Sequence, residues 1–217
     1  SRNTAIAAVA DGAAQEVLFV GSEVQDVVSL LNAAALVSGF ETKAVFLTDS
    51  ASDTYLFEET TDEAQALFPQ VRGSRPQTPE GPIYQAFTIA YASAYEGEDP
   101  RADGWNAYAY DAGWVTMMGL AWALGNEDEL GGAAIARGFR RVSEGDAVQV
   151  GPTDWAQASE ALLAGDGIDL TGASGDLDFD DTTGETTEPV QIWVMDGDTE
   201  SFEVVRTCEP NGVCTDT

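Results

Sequence analysis

Histidine is absent from the 217-residue sequence, which removes the commonest general base and the only imidazole metal ligand. Basic residues are scarce: nine lysines and arginines stand against 38 acids, a net charge of −29. Nucleic-acid binding needs cationic patches that displace phosphate counterions, so this charge argues against a nucleic-acid partner and equally against an anionic lipid surface. The acids read as a solvated surface, with specific calcium binding as the competing reading. No apolar run approaches the roughly 18 residues needed to span a bilayer. The densest, Val115 to Leu124, reads as a buried helix, so direct membrane insertion is not expected. Neither a Gly-x-Ser-x-Gly elbow nor a phosphate-binding glycine loop occurs. Paired carboxylates are unavoidable among 38 acids and so carry no signal, leaving a carboxylate-based hydrolase as a distant alternative. No cofactor and no metal site is implied.

Cysteine is limited to Cys208 and Cys214. Between them, Pro210-Asn211-Gly212 is a strong turn sequence that folds the two thiols together at the mouth of a hairpin. A disulfide is expected, and with it an oxidising compartment; half a metal site is the weaker alternative without histidine or a second cysteine pair. Asp176 to Thr187 carries alternate acids like a calcium loop, but Asp181 stands where glycine belongs and Thr187 where glutamate belongs. An adventitious cation is all that the pattern leaves there.

What is present alternates in the α/β manner. Thr4 to Gln15 reads as a helix, Glu16 to Val20 as a strand buried on both faces, and Gln25 to Val37 as a helix. That helix turns Val27, Val28, Leu30, Leu31, Ala34 and Ala35 inward and ends on Ser38-Gly39 as a C-cap. Lys43 to Leu47 is a second strand, and Ser52 to Phe57 starts another helix. A strand–helix–strand unit of this length implies a right-handed crossover and a parallel sheet.

In such sheets ligands sit beyond the carboxyl ends of the strands. The loops that fall there are Gly21-Ser22-Glu23 and Thr48-Asp49-Ser50. Ser22 stands where a helix N-terminus presents N–H groups and a hydroxyl to a polar ligand, or where it serves only as N-cap. Glu23 fits the first turn of that helix with no ligand. Asp49 is either a ligand acid or the N-cap of the next helix.

Beyond Gln70 the sequence loosens to a proline- and glycine-rich stretch ending at Pro82, which marks a connection. Helices follow over Tyr84–Tyr95, from Trp105, over Gly131–Ser143 and over Trp155–Leu163. The third turns Ile135, Phe139 and Val142 inward and carries Arg137, Arg140 and Arg141 outward, where neighbouring acids can pair with them. Pro189–Met195, a turn at Asp196-Gly197-Asp198, and Glu203–Val205 form a hairpin.

Four motifs carry a family resemblance. They are Gly21-Ser22, Leu47-Thr48-Asp49-Ser50, the aromatic segment from Tyr84 through the acidic-proline turn to Tyr110-Asp111-Ala112, and Gly172-Ala173-Ser174-Gly175 running on to Asp180, with Gly184. Their order resembles the type I periplasmic binding proteins, the leucine/isoleucine/valine receptors of ABC importers. The resemblance implies an α/β fold, a type I periplasmic-binding-protein-like lobe with a parallel sheet flanked by helices, plus the helical part of a second lobe. It implies that residues 1–73 and 188–217 form the C-terminal lobe, 74–82 the hinge, and 83–187 a contribution to the N-terminal lobe. It further implies that the chain is the C-terminal part of a longer, periplasmic or extracellular receptor, lipid-anchored in its full form. Its partners would be a small ligand, an amino acid or similar polar molecule held in an interlobe cleft, and the membrane permease of the importer. Asp49 then faces the ligand ammonium, with Ser22, Glu23 and Ser50 beside it, and Trp105 packs on the ligand side chain. For Trp105 an ordinary core position is the competing reading. An extracellular sensing or interaction module with the same fold is the alternative function.

Overall fold

The computed structural model describes residues 2–102, 105–180 and 182–217. Asp103, at the end of the acidic-proline turn, and Asp181, in the acidic loop, lie outside the described residues. In chain order the elements begin α1 (Arg2–Asp11), β1 (Glu16–Phe19), α2 (Val24–Ala34), β2 (Ala44–Leu47), α3 (Tyr55–Glu59), α4 (Asp62–Gln65) and β3 (Val71–Pro76). Then come α5 (Gly81–Ala94), α6 (Asn106–Asn126), α7 (Gly132–Gly138), β4 (Asp146–Gln149), α8 (Trp155–Ala164) and β5 (Ile168–Thr171). The chain closes with β6 (Val190–Asp196), β7 (Ser201–Cys208) and β8 (Cys214–Asp216). Two compact units result, Ser1–Gln77 with Glu188–Thr217, and Thr78–Thr187.

The first unit holds a six-stranded sheet in the order β1-β2-β3-β6-β7-β8. β1, β2 and β3 are parallel; β6 joins β3 antiparallel, and β7 and β8 continue antiparallel. The expected parallel sheet is therefore only half of a mixed one. Short turns close β6 onto β7 and β7 onto β8, and a tight turn can join only antiparallel neighbours. With a side-chain period of two, Val45, Leu47, Val71, Trp193 and Met195 point to one face, where they pack with Ile6 of α1, Leu31 of α2 and Leu56 of α3.

The apolar run of β1 is not buried on both faces, as its composition implied: Leu18 is 65% and Val20 is 72% exposed. β1 is the edge strand, and only Val17 and Phe19 meet the core. On the opposite face Arg72 pairs with Glu16 and lies over the Phe46 ring, 5.6 Å from its centroid. α2 ends at Ala34, short of the predicted Val37, and Gly39 at φ 95° opens a 3-10 turn over Phe40–Thr42 instead of capping α2. Lys43 is buried, its Nζ donating to the carbonyls of Gly12 at 2.9 Å and Ala14 at 2.8 Å, just beyond α1. That bonding ties the end of α1 to the start of β2.

The 74–82 stretch is not wholly a connection, because Ser74, Arg75 and Pro76 pair with Ile192, Gln191 and Val190 of β6. Proline is tolerated at the strand's last residue. Cys208 and Cys214 are bonded across the β7–β8 hairpin, with Cα atoms 4.0 Å apart.

The second unit packs α5 to α8 around Met118, Val142, Leu162, Ile168 and Leu170. It also contains a two-stranded parallel sheet, β4 with β5, that the pattern reading did not find. In β4 only Val148 is buried, so four residues offered no period to read. The Val115–Leu124 run is not buried throughout: Met117, Leu120 and Leu124 are exposed. α6 crosses α7 at two glycines, where a Cβ on Gly119 would stand 2.7 Å from the carbonyl of Ile135 and one on Gly138 2.5 Å from that of Gly119.

Candidate site at the carboxyl ends of the parallel strands

β1 and β2 run in the same direction, so the segments leaving them, Gly21-Ser22-Glu23 and Thr48-Asp49-Ser50, emerge at one edge of the sheet. Hydrogen bonds join the two. Ser50 Oγ donates to the carbonyl of Gly21 at 2.9 Å, and Thr48 Oγ1 donates to the same carbonyl at 3.3 Å while accepting from the Gly21 N–H at 3.4 Å. Ser50 is thus a brace between the loops.

The capping alternatives do not hold. Glu23, not Ser22, is the N-cap residue of α2, and its side chain makes no capping bond. Both are exposed, and among the described residues the Ser22 hydroxyl makes no hydrogen bond. Asp49 starts a 3-10 turn, Asp49–Ala51, whose N-cap is Thr48. The N-cap residue of α3 is Thr54, and the Oδ1 of Asp53 before it accepts from the Tyr55 N–H at 2.9 Å. The Asp49 carboxylate is half-buried and accepts no hydrogen bond among the described residues.

Sequence reading passed over Arg75 as a site residue. β3 runs parallel to β2 and ends at the same edge. Counting by twos from buried Val71 through Gly73 brings Arg75 to the helix-covered face. Its Nη1 donates to Ser52 Oγ at 3.0 Å and its Nε to Gln191 Oε1 at 3.4 Å. Burial lowers the pKa of the guanidinium. The usable signal was this alternation, masked by the proline-rich stretch that follows.

Trp105 belongs to the second unit, preceding α6, where it is 44% exposed with its ring 5.6 Å from that of Tyr108. Tyr110 and Trp114, both partly buried, pack against that unit's core, Tyr110 on Phe87 and Trp114 on Trp155. Asp111 is 2% exposed and takes three hydrogen bonds: from Ala173 N at 2.9 Å, and from Ser174 N and Ser174 Oγ at 2.6 Å each. Two of the four motifs therefore meet at one carboxylate. Desolvation raises the pKa of Asp111 against the lowering effect of those bonds.

The acidic loop is built around Asp180, whose Oδ1 accepts from the N–H groups of Thr182 and Thr183 at 2.8 Å each. Those backbone bonds lower its pKa. Gly184 at φ 72° completes the turn, and Phe179, half-buried, bridges to Thr186. Of the three exposed arginines, Arg137 is held bidentately by Glu127 at 2.7 and 2.8 Å. Arg141 lies over Trp122, 5.5 Å from the ring. Both border a concavity of about 790 Å³ in which Glu144, Asp178 and Asp180 also take part. No protein-family model matches the sequence, and no curated protein matches it.

Proposed function

We propose that this chain is a non-catalytic, extracytoplasmic solute-binding component of an ABC importer, built on a type I periplasmic-binding-protein lobe and taking an amino acid or similar small polar ligand. The observation that carries the reading is the edge where Gly21, Thr48 and Ser50 join two loops beside the unengaged carboxylate of Asp49. A half-buried carboxylate with no hydrogen-bond donor among the described residues suits a ligand ammonium, a charge-assisted partner strongest where water is excluded. The Cys208–Cys214 bond agrees with an oxidising compartment. Among the described residues no helix is long and apolar enough to cross a membrane. Transport through a separate permease belongs to this proposal.

Calorimetric titration of the protein with the twenty standard L-amino acids tests it. Binding of at least one is expected, and Asp49→Asn should weaken it by about 2–5 kcal/mol, the usual cost of stripping one partner from a desolvated charge pair. Unchanged affinity in Asp49→Asn removes that residue from the site and the ammonium assignment with it.

A further inference from the structure

Resting on the reading of that edge as a ligand site, we propose that the Arg75 guanidinium, braced by Ser52 and Gln191, is its carboxylate-recognising group, so that the ligand must carry a carboxylate. In a chain of net charge −29 a cation finds a counter-ion easily. Arg72, Arg101, Arg137 and Arg206 each pair with an acid. All four are substantially exposed, where an ion pair contributes little. Arg75 is the reverse case: it is half-buried, yet among the described residues its only partners are a hydroxyl and an amide oxygen. Desolvating a guanidinium is costly unless an anion compensates, and among the described residues no acid supplies one.

The geometry favours a planar anion. A guanidinium has five N–H donors, and Ser52 and Gln191 take one each, at Nη1 and Nε. Three donors are left, one on Nη1 and two on Nη2, and one from each nitrogen makes the pair that a carboxylate accepts in bidentate fashion. The bonds to Ser52 and Gln191 hold the plane of the fork, so little side-chain entropy is lost on binding. Ser52 also follows the turn that begins with Asp49, its N–H donating to the Asp49 carbonyl at 2.9 Å. One turn therefore carries both the Asp49 carboxylate and the hydroxyl that positions a guanidinium with no acid partner among the described residues. That combination suits a zwitterion, with its ammonium toward Asp49 and its carboxylate toward Arg75.

The test is calorimetry on the whole chain with three kinds of probe: the standard L-amino acids, their decarboxylated primary amines, and the short carboxylates acetate, propionate and isovalerate, with chloride as the control for simple screening. Arg75→Gln should weaken amino-acid binding by at least about thirtyfold, abolish carboxylate binding and leave amine binding unchanged. Ser52→Ala, which keeps the charge and loses the brace, should cost a smaller factor on the same probes, and it serves if Arg75→Gln melts early. A purely structural Arg75 would weaken amines and acids alike, which overturns the assignment. Amino-acid binding that is indifferent to Arg75→Gln also overturns it and leaves the solute-binding reading standing. Carboxylates bound through Arg75, with amino acids no tighter and indifferent to Asp49→Asn, uphold it and dismiss the amino-acid ligand. If no probe binds, both fall.

Discussion

At the residue scale, the two most informative side chains are acids in opposite conditions. Asp49 is half-buried with no donor among the described residues, and Asp111 is buried with three. For Asp111 burial outweighs those bonds and raises the folded-state pKa above its unfolded value. Between the two values the folded chain keeps a proton that the unfolded chain has released. The stability due to Asp111 is therefore complete below the unfolded value and declines as pH rises through the folded one. Asp111→Asn abolishes that titration and turns an amide NH₂ toward groups that are themselves donors, at a cost of about 1–3 kcal/mol. The measurable outcome is a stability gap between parent and variant, from urea unfolding, that narrows as pH rises from the ordinary aspartate range. A gap that widens over that range means that the three bonds, not burial, dominate.

At the element scale, the α6–α7 crossing depends on glycine for space, not for conformation. Neither Gly119 nor Gly138 has a positive φ. A methyl at either position meets the backbone of the facing helix or the Phe139 ring. Gly119→Ala and Gly138→Ala should each cost about 1–3 kcal/mol by forcing the helices apart, despite alanine's better helix propensity. Because both act on one contact, the double variant should cost less than the sum of the two. Thermal melts of the three variants supply the comparison, and strict additivity would show that the helices do not separate as bodies.

At the scale of the whole molecule, charge is the dominant quantity. A net charge of −29 opposes compaction through self-repulsion, which salt screens. Raising sodium chloride from about 0.01 M to about 1 M shortens the screening length from roughly 30 Å to roughly 3 Å. The melting temperature should rise across that series, and most steeply at its low end. The exposed pairs such as Arg101–Asp99 weaken over the same range but contribute little to begin with. A melting temperature that falls with salt would mean that specific ion pairs outweigh the general repulsion.

The sequence alone determined the alternation of strand and helix before Gln70, the loops at Gly21 and Thr48, the β6–β7 hairpin and the Cys208–Cys214 closure, because each is written in near neighbours: apolar period, turn residues, spacing. It placed Asp49 at a strand end without deciding between ligand acid and cap, since capping depends on which backbone N–H a side chain reaches. Tertiary structure decided what depends on distant partners. Leu18 and Val20 read as core, yet β1, which carries the first and ends just before the second, lies at the edge of the sheet. β4 and β5 form a sheet only by pairing with each other across α8. The surroundings of Arg75 come from Ser52 and Gln191, 23 and 116 residues away in the chain. Local pattern records which face a side chain occupies, but a buried charge is defined by the groups brought to it, and those are assembled only when the chain folds.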